Sequence, residues 1–235
     1  MTERNHRPHG GFWRSLGPAE QQALLGISRP RTFTARTALC HQGEASDHII
    51  VIRDGWAKVT VTGADGSTVV LAVRGPGDLV GEMATIGHRH RSATVTALNT
   101  IRALVVPSAR FNVFLREHPA ALQLVSSNVV RRLDDADRRL QERASSSGAQ
   151  RLARLLFDLS ELSDSYARTG AGGGIEISPP LSQQELGSWV GASRETVARA
   201  LQDWRRRGLV RTGWRRITVL DRPGLSALAD GRVGS

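Results

Sequence analysis

Cys40 is the only cysteine in 235 residues. One thiol forms no intramolecular disulfide and cannot supply a thiolate zinc finger or a four-cysteine iron–sulfur cluster. No uninterrupted apolar run reaches the roughly 18 residues needed to cross a bilayer. The first ten residues, MTERNHRPHG, lack the apolar stretch of a secretory signal. A cytoplasmic chain with no membrane partner is therefore expected. Walker and dinucleotide glycine motifs are missing, as is any set of nucleophile, base and oxyanion donors, so no enzyme is expected. Cys40-His41, and His6 with His9, are the only hints of a metal or haem ligand. No second cluster of ligands accompanies them, and no metal is expected.

What is present describes a folded, basic protein. Hydrophobic residues make up 40% and charged residues 23%, ordinary values for a globular chain, and the length suits two modest domains. A formal net charge of +10 points to a polyanionic partner. The charge is concentrated: residues 193–216 hold eight arginines against Glu195 and Asp203, a local excess of +6 in 24 residues.

A short helix is expected from Pro18 to Leu25. Segments IIVI from Ile49, WAKVTVT from Trp56 and TVVLAV from Thr68 then read as strands, punctuated by Asp54-Gly55 and Asp65-Gly66 as a meander of hairpins. RGPGD from Arg74 is a turn cluster, and ATVTAL from Ala93 and IRALVV from Ile101 add two strands divided by Asn99-Thr100. Such spacing suggests a small barrel or roll. After Pro107, apolar residues at Leu122, Val125, Val129, Leu133, Ala136 and Leu140 recur at helical spacing. One continuous helix over 110–144 would be roughly 50 Å long at 1.5 Å per residue. So long and thinly apolar a helix calls for a partner helix, or else its first half packs on its own roll. Residues 145–148, Ser-Ser-Ser-Gly, interrupt it with Ser147 as a candidate N-cap, and RLARLLFDLSEL from Arg151 is another amphipathic helix. GAGGG from Gly170 reads as a flexible loop before a short strand IEI.

Ser182-Gln183-Gln184-Glu185 fits the S-x-x-E capping box, and Leu186, Trp189 and Val190 form a buried face. Gly191-Ala192 turns the chain and Ser193 caps a second helix, giving helix-turn-helix geometry. Val197, Ala200, Leu201 and Trp204 make its inward stripe. Glu195, Arg199, Gln202 and Arg206 lie outward with Arg194 on the flank. Arginine can read guanine O6 and N7, and glutamate can accept from cytosine N4, so this face suits the major groove of double-stranded DNA. The alternative is a solvated face held by a Glu195/Arg199 i,i+4 pair. Leu209-Val210 and 217–220 look like strands of a wing, with Arg211, Arg215 and Arg216 near its turn as phosphate contacts. Trp189, Trp204 and Trp214 are read as core.

SQQELGSWVGASRETVARAL from Ser182 resembles the helix-turn-helix of the cyclic-AMP receptor protein/FNR family of bacterial transcription regulators. The resemblance implies that Arg194, Glu195 and Arg199 read a TGTGA-type half-site, that Ser182, Gln184 and Ser193 hold the DNA backbone, and that a dimer spans half-sites one helical turn apart. GEMATIGHRHRSATV from Gly81 similarly resembles the phosphate-binding cassette of cyclic-nucleotide-binding domains. Glu82 could accept from a ribose 2′-hydroxyl, Arg91 offers a donor fork to a phosphodiester, and Ser92 and backbone N–H groups near Gly81 and Met83 can add to it. Counting from Arg131-Arg132-Leu133 places Ala136 and Asp137 where the family's cyclic-AMP receptor contacts adenine through a Thr-Ser pair. Asp137 could accept from an exocyclic amine. His88 and His90 are read as solvated loop residues.

The expected fold class is α+β, with an N-terminal cyclic-nucleotide-binding β-roll (1–109), a long dimerisation helix and hinge (110–146) and a C-terminal winged helix-turn-helix (147–235). The expected function is a homodimeric regulator controlled by cyclic AMP or a related cyclic nucleotide and bound to a palindromic operator, with RNA polymerase as a further candidate partner. The alternatives are the same fold acting without ligand or with another small effector, and a small-molecule-binding subunit whose basic end docks an acidic protein.

Overall fold

The computed structural model describes residues 11–87, 89–164, 174–177 and 179–232. They divide into two compact units, one ending at Arg138 and one beginning at Arg139.

The first unit opens with two helices, α1 (Phe12–Ser15) and α2 (Pro18–Ile27), the latter started by Pro18, whose missing N–H is no loss in a first turn. Strands β1 (Arg29–Phe33), β2 (Ala38–Cys40), β3 (His48–Asp54), β4 (Ala57–Thr62), β5 (Thr68–Arg74) and β6 (Leu79–Val80) follow. After a short helix α3 (Glu82–Ile86) come β7 (Thr94–Ala97) and β8 (Ile101–Pro107). They form two four-stranded antiparallel sheets, ordered β1-β8-β3-β6 and β2-β7-β4-β5. The IIVI run of β3 shows no polar alternation because both its faces are covered. Ile49 and Val51 join Phe12, Leu24 and Phe111 on the helical side. Ile50 and Ile52 join Leu39, Val95 and Ile101 on the other.

Asp65-Gly66 lies in a β4–β5 hairpin as expected. Asp54-Gly55 does not turn a hairpin: β3 pairs with β8 and β6, whereas β4 pairs with β5 and β7, so the chain crosses between sheets there. Strands β1, β2 and β6 also went unanticipated. β1 is RPRTF, exposed at four of its five positions, and carries no alternation to read.

The continuous helix expected over 110–144 is two helices, α4 (Ser108–Glu117) and α5 (Pro119–Ser145). Proline disfavours helical backbone at the residue before it, and His118 accordingly sits at φ −126°, ψ 79°. Phe111, Phe114 and Leu115 of α4 with Ala121 and Val125 of α5 complete the helical side of the core. Beyond Val125, α5 turns an apolar edge outward: Val130, Leu133 and Leu140 are 57%, 61% and 73% exposed.

In the second unit α6 (Gly148–Asp164) begins after Ser147, whose hydroxyl accepts from Gln150 N–H at 3.2 Å, as its sequence implied. The glycine-rich stretch up to residue 173 lies outside the described residues. β9 (Ile175–Glu176), α7 (Gln183–Val190), α8 (Arg194–Arg206), β10 (Val210–Gly213), β11 (Arg216–Val219) and α9 (Arg222–Ala229) complete it, with sheet order β10-β11-β9. Helix α9 is an addition to the expected elements. Asp221 caps it, and Arg222–Glu161 (2.8 Å) and Arg154–Asp230 join it to α6.

Candidate effector pocket and nucleic-acid interface

In the first unit Arg91 comes to the turn that carries Gly81 and Glu82. Gly81 turns the chain from β6 into α3 at φ +89°, and a Cβ there would lie 2.0 Å from Arg91 Nη1, so no larger residue fits without moving the arginine. Glu82 and Arg91 are charged side chains on residues only 1% and 4% exposed. Arg91 donates from Nη1 to Gly81 O (3.2 Å) and from Nη2 to His48 O. These engage two of its five N–H donors. Glu82 Oε1 takes an ion pair from Arg132 Nη1 of α5, and Arg132 Nη2 also donates to Leu79 O at 2.8 Å.

Among the described residues no hydrogen-bond partner reaches the buried Glu82 Oε2. An orphaned carboxylate oxygen costs free energy in a closed site, and a hydroxyl donor would relieve it. The donor set thus fits a ribose hydroxyl on Glu82 and a phosphodiester on Arg91. Thr85 of α3 bridges Ser46 and Ser108 (3.0 Å each), tying the cassette to the start of α4.

Met83, Ser92 and His90 are exposed, and His88 lies outside the described residues. Asp137 and Ala136 are exposed on α5, and among the described residues no hydrogen bond or ion pair joins them to Glu82 or Arg91. Sequence spacing marks Arg132 only as part of the Arg131-Arg132-Leu133 register, and its role does not show there because its partner is 50 residues away. Burial pushes the Cys40 thiol above its ordinary value, against redox chemistry there. Among the described residues no His, Cys, Asp and Glu cluster could hold a metal, and no helix is long and apolar enough to cross a membrane. His6 and His9 lie outside them.

In the second unit the capping box forms in full. Ser182 Oγ accepts from Glu185 N–H at 3.2 Å, and Glu185 Oε2 accepts from Ser182 N–H at 2.8 Å. α7 ends at Gly191 (φ +64°), and Ser193 accepts from Thr196 N–H at 3.1 Å to start α8. Gly187 permits the tight turn: a Cβ there would lie 2.7 Å from Ala192 O. Arg151 Nε donates to Val190 O (2.7 Å) and Nη2 to Gly191 O (3.1 Å), pairing a cation with carbonyls at the C-terminus of α7.

Val197, Ala200, Leu201 and Trp204 of α8 are buried, whereas Arg194, Glu195, Arg199 and Gln202 are exposed. Among the described residues Arg194 and Arg199 enter no ion pair or side-chain hydrogen bond, so the alternative Glu195/Arg199 pair is not formed. Glu195 is held below the ordinary carboxylate range by its own backbone N–H and the Ser193 hydroxyl, then by nearby Arg194 and Arg199. The face therefore keeps both donors and an acceptor open to solvent. Gln184 is also exposed.

Two residues expected to contact the DNA backbone make internal bonds. The Ser182 hydroxyl donates to Glu185 Oε2 at 2.8 Å, which commits its only proton. Arg215, in a left-handed backbone at φ +50°, donates from Nε to Pro180 O and from Nη2 to Glu185 Oε2, each at 3.0 Å. It is a wing anchor in this structure rather than a free phosphate donor. Arg211 remains exposed, and Arg216 pairs with Glu176 at 3.1 Å while still 66% exposed. Trp189 and Trp204 are core, as expected; Trp214 is not, with 86% of its surface in solvent.

Two family models match the chain, a cyclic nucleotide-binding domain over residues 30–118 and a Crp-like helix-turn-helix domain over residues 150–228. The chain is 26% identical over 219 residues to the CRP-like cAMP-activated global transcriptional regulator of Mycobacterium tuberculosis, covering 93% of this chain and 96% of that one. It is 28% identical over 171 residues to the cAMP-activated global transcriptional regulator CRP of Salmonella typhimurium, covering 72% and 79%. Among solved structures, a CRP/FNR-family transcriptional regulator from Thermus thermophilus superposes with TM-score 0.70 at 25% identity over 87% of this chain and all of that one. The fold also matches FixK2 of Bradyrhizobium japonicum, with TM-score 0.74 at 18% identity over 86% of this chain and 97% of that one.

Proposed function

Because the chain belongs to the cyclic-AMP receptor protein/FNR family of DNA-binding transcription regulators and carries a cyclic nucleotide-binding domain, we propose that cyclic AMP switches it and that it binds, as a homodimer, a palindrome with TGTGA-type arms. The open face of α8 carries this reading: Arg194, Glu195 and Arg199 stand in solvent on a helix whose opposite side is locked into the unit by Val197, Leu201 and Trp204. Arg194 and Arg199 would donate to guanine, Glu195 would accept from cytosine, and Gln184, Ser193 and Arg211 would contact phosphate.

The effector half of the proposal rests on Glu82 Oε2, buried and without a partner among the described residues, and on Arg91, fastened to the carbonyl of the preceding Gly81. The dimer half rests on the outward apolar edge of α5, which a second copy of the same helix would cover. Arg132 links the two, since it reaches Glu82 from α5. A ribose hydroxyl arriving on Glu82 would compete for that carboxylate and bias the position of α5, a population shift that only a ligand preferring one arrangement can drive.

Isothermal titration with cyclic AMP and cyclic GMP tests the effector, and band shifts on a TGTGA palindrome against a scrambled duplex test the operator. The reading expects heat that disappears in Arg91→Ala, and preference for the palindrome that strengthens with nucleotide. A second reading, the same regulator acting without ligand, is favoured by the internal satisfaction of Arg91 on two carbonyls and of Glu82 Oε1 on Arg132. Operator binding with no heat from either nucleotide at millimolar concentration would select it. Equal binding to both duplexes would remove the operator.

A further inference from the structure

Trp214 is the residue whose placement the proposed chemistry leaves unexplained. It occupies, with Arg215, the turn between β10 and β11 beyond the last ladder pair, Gly213↔Arg216. Of the five tryptophans, Trp13, Trp56, Trp189 and Trp204 are at most 9% exposed, whereas Trp214 is 86% exposed. The turn is not held by the hairpin alone. Arg215 keeps a backbone conformation that a side-chain-bearing residue seldom adopts, and its guanidinium fastens it to Pro180 O and to Glu185 of the α7 capping box. An aromatic ring is thus displayed in water from a braced position.

The surroundings are cationic, with Arg211 exposed on β10 and Arg216 largely exposed on β11. β10 packs against α8, whose arginine face is the proposed reading face. A hairpin alongside a helix seated in the roughly 12 Å major groove meets the sugar–phosphate ridge that borders it. An indole suits that ridge: its flat apolar face can cover deoxyribose, and its single N–H can donate to a phosphate oxygen. We propose that Trp214 is a DNA-contacting residue that packs on the sugar–phosphate ridge beside the α8 groove, strengthening binding to duplex DNA without regard to base sequence. This inference rests on the DNA-binding reading above.

Fluorescence tests it directly, because acrylamide reaches Trp214 and is shielded from the other four. The free protein should show a quenchable component that Trp214→Phe lacks. A duplex of about 30 base pairs with TGTGA arms, added with cyclic AMP at low salt, should reduce that component several-fold and shift the emission to the blue. Trp214→Ala should keep the wild-type melting temperature and lose about tenfold in affinity on this duplex and on a scrambled one alike. If a fluorescein-labelled duplex shows binding by anisotropy while quenching is unchanged, the inference falls and the DNA-binding reading stands. If neither duplex binds at any salt concentration, both fall. Protection that grows with protein concentration in the absence of DNA would assign the ring to a contact between copies and overturn the inference as well.

Discussion

Replacing Arg132 with methionine removes the ion-pair partner that Glu82 has among the described residues while keeping most of the side-chain volume. The Glu82 side chain is 2% exposed and its Oε2 has no partner among the described residues, so the variant leaves both carboxylate oxygens without a hydrogen bond from them. Breaking a buried pair from one side costs about 3–5 kcal/mol. The Arg132 side chain keeps 22% of its exposure, which lets water approach the vacated position and favours the lower end, about 3 kcal/mol. For a unit of this size that corresponds to a fall of roughly 10 °C in the melting temperature. Glu82→Gln combined with Arg132→Met removes both charges and should recover much of the loss, since a buried pair replaced as a whole is often neutral. Scanning calorimetry of the N-terminal transition, run on both single variants and the double, gives the coupling energy. A strictly additive cycle, or an Arg132→Met cost under about 0.5 kcal/mol, would refute the pairing and with it the route from pocket to α5.

Gly187→Ala should destabilise the C-terminal unit by about 1–3 kcal/mol in urea unfolding, because its Cβ would meet Ala192 O at 2.7 Å. Ser193→Ala should cost about 1 kcal/mol in the same assay through loss of the α8 cap. Arg211→Ala should weaken all duplexes alike and reduce the slope of log affinity against log salt by about 1, whereas Arg215→Ala should show itself chiefly as lost stability of the wing. The His48 ring holds the Asp47 carboxyl below its ordinary value of 3.8 by hydrogen bonding, so its stabilisation is complete above that value and is lost as pH falls through the lowered one. Asp47→Asn should flatten the acid limb of a melting-temperature profile below about pH 4, by a small amount because the side chain is largely exposed.

The helix-turn-helix was legible because its determinants are local. A serine three residues before a glutamate, and apolar residues at i, i+3, i+4 and i+7, specify a helix start and its buried stripe without reference to the rest of the chain. The cassette was legible as a pattern, but its wiring was not: Glu82 meets Arg132, and Arg215 meets Glu185, across separations of 50 and 30 residues that carry no spacing rule. Asp54-Gly55 has the composition of a hairpin, yet which strand lies beside β3 is decided by β8, far along the chain. At His118-Pro119 the break was written in the sequence, and the apolar spacing that runs through it concealed the fact. Trp214 was misread because aromatic residues are core by default, a default that fails at a turn fastened from outside the hairpin.

The central claim, that the open face of α8 reads base edges, is tested most directly by measuring wild type and Arg199→Ala against a TGTGA palindrome and a set of single base-pair variants at fixed salt and saturating cyclic AMP. The account predicts that Arg199→Ala loses about 1–3 kcal/mol of discrimination at one base position and little at the others. Unchanged discrimination at every position, with affinity lowered uniformly, would contradict it.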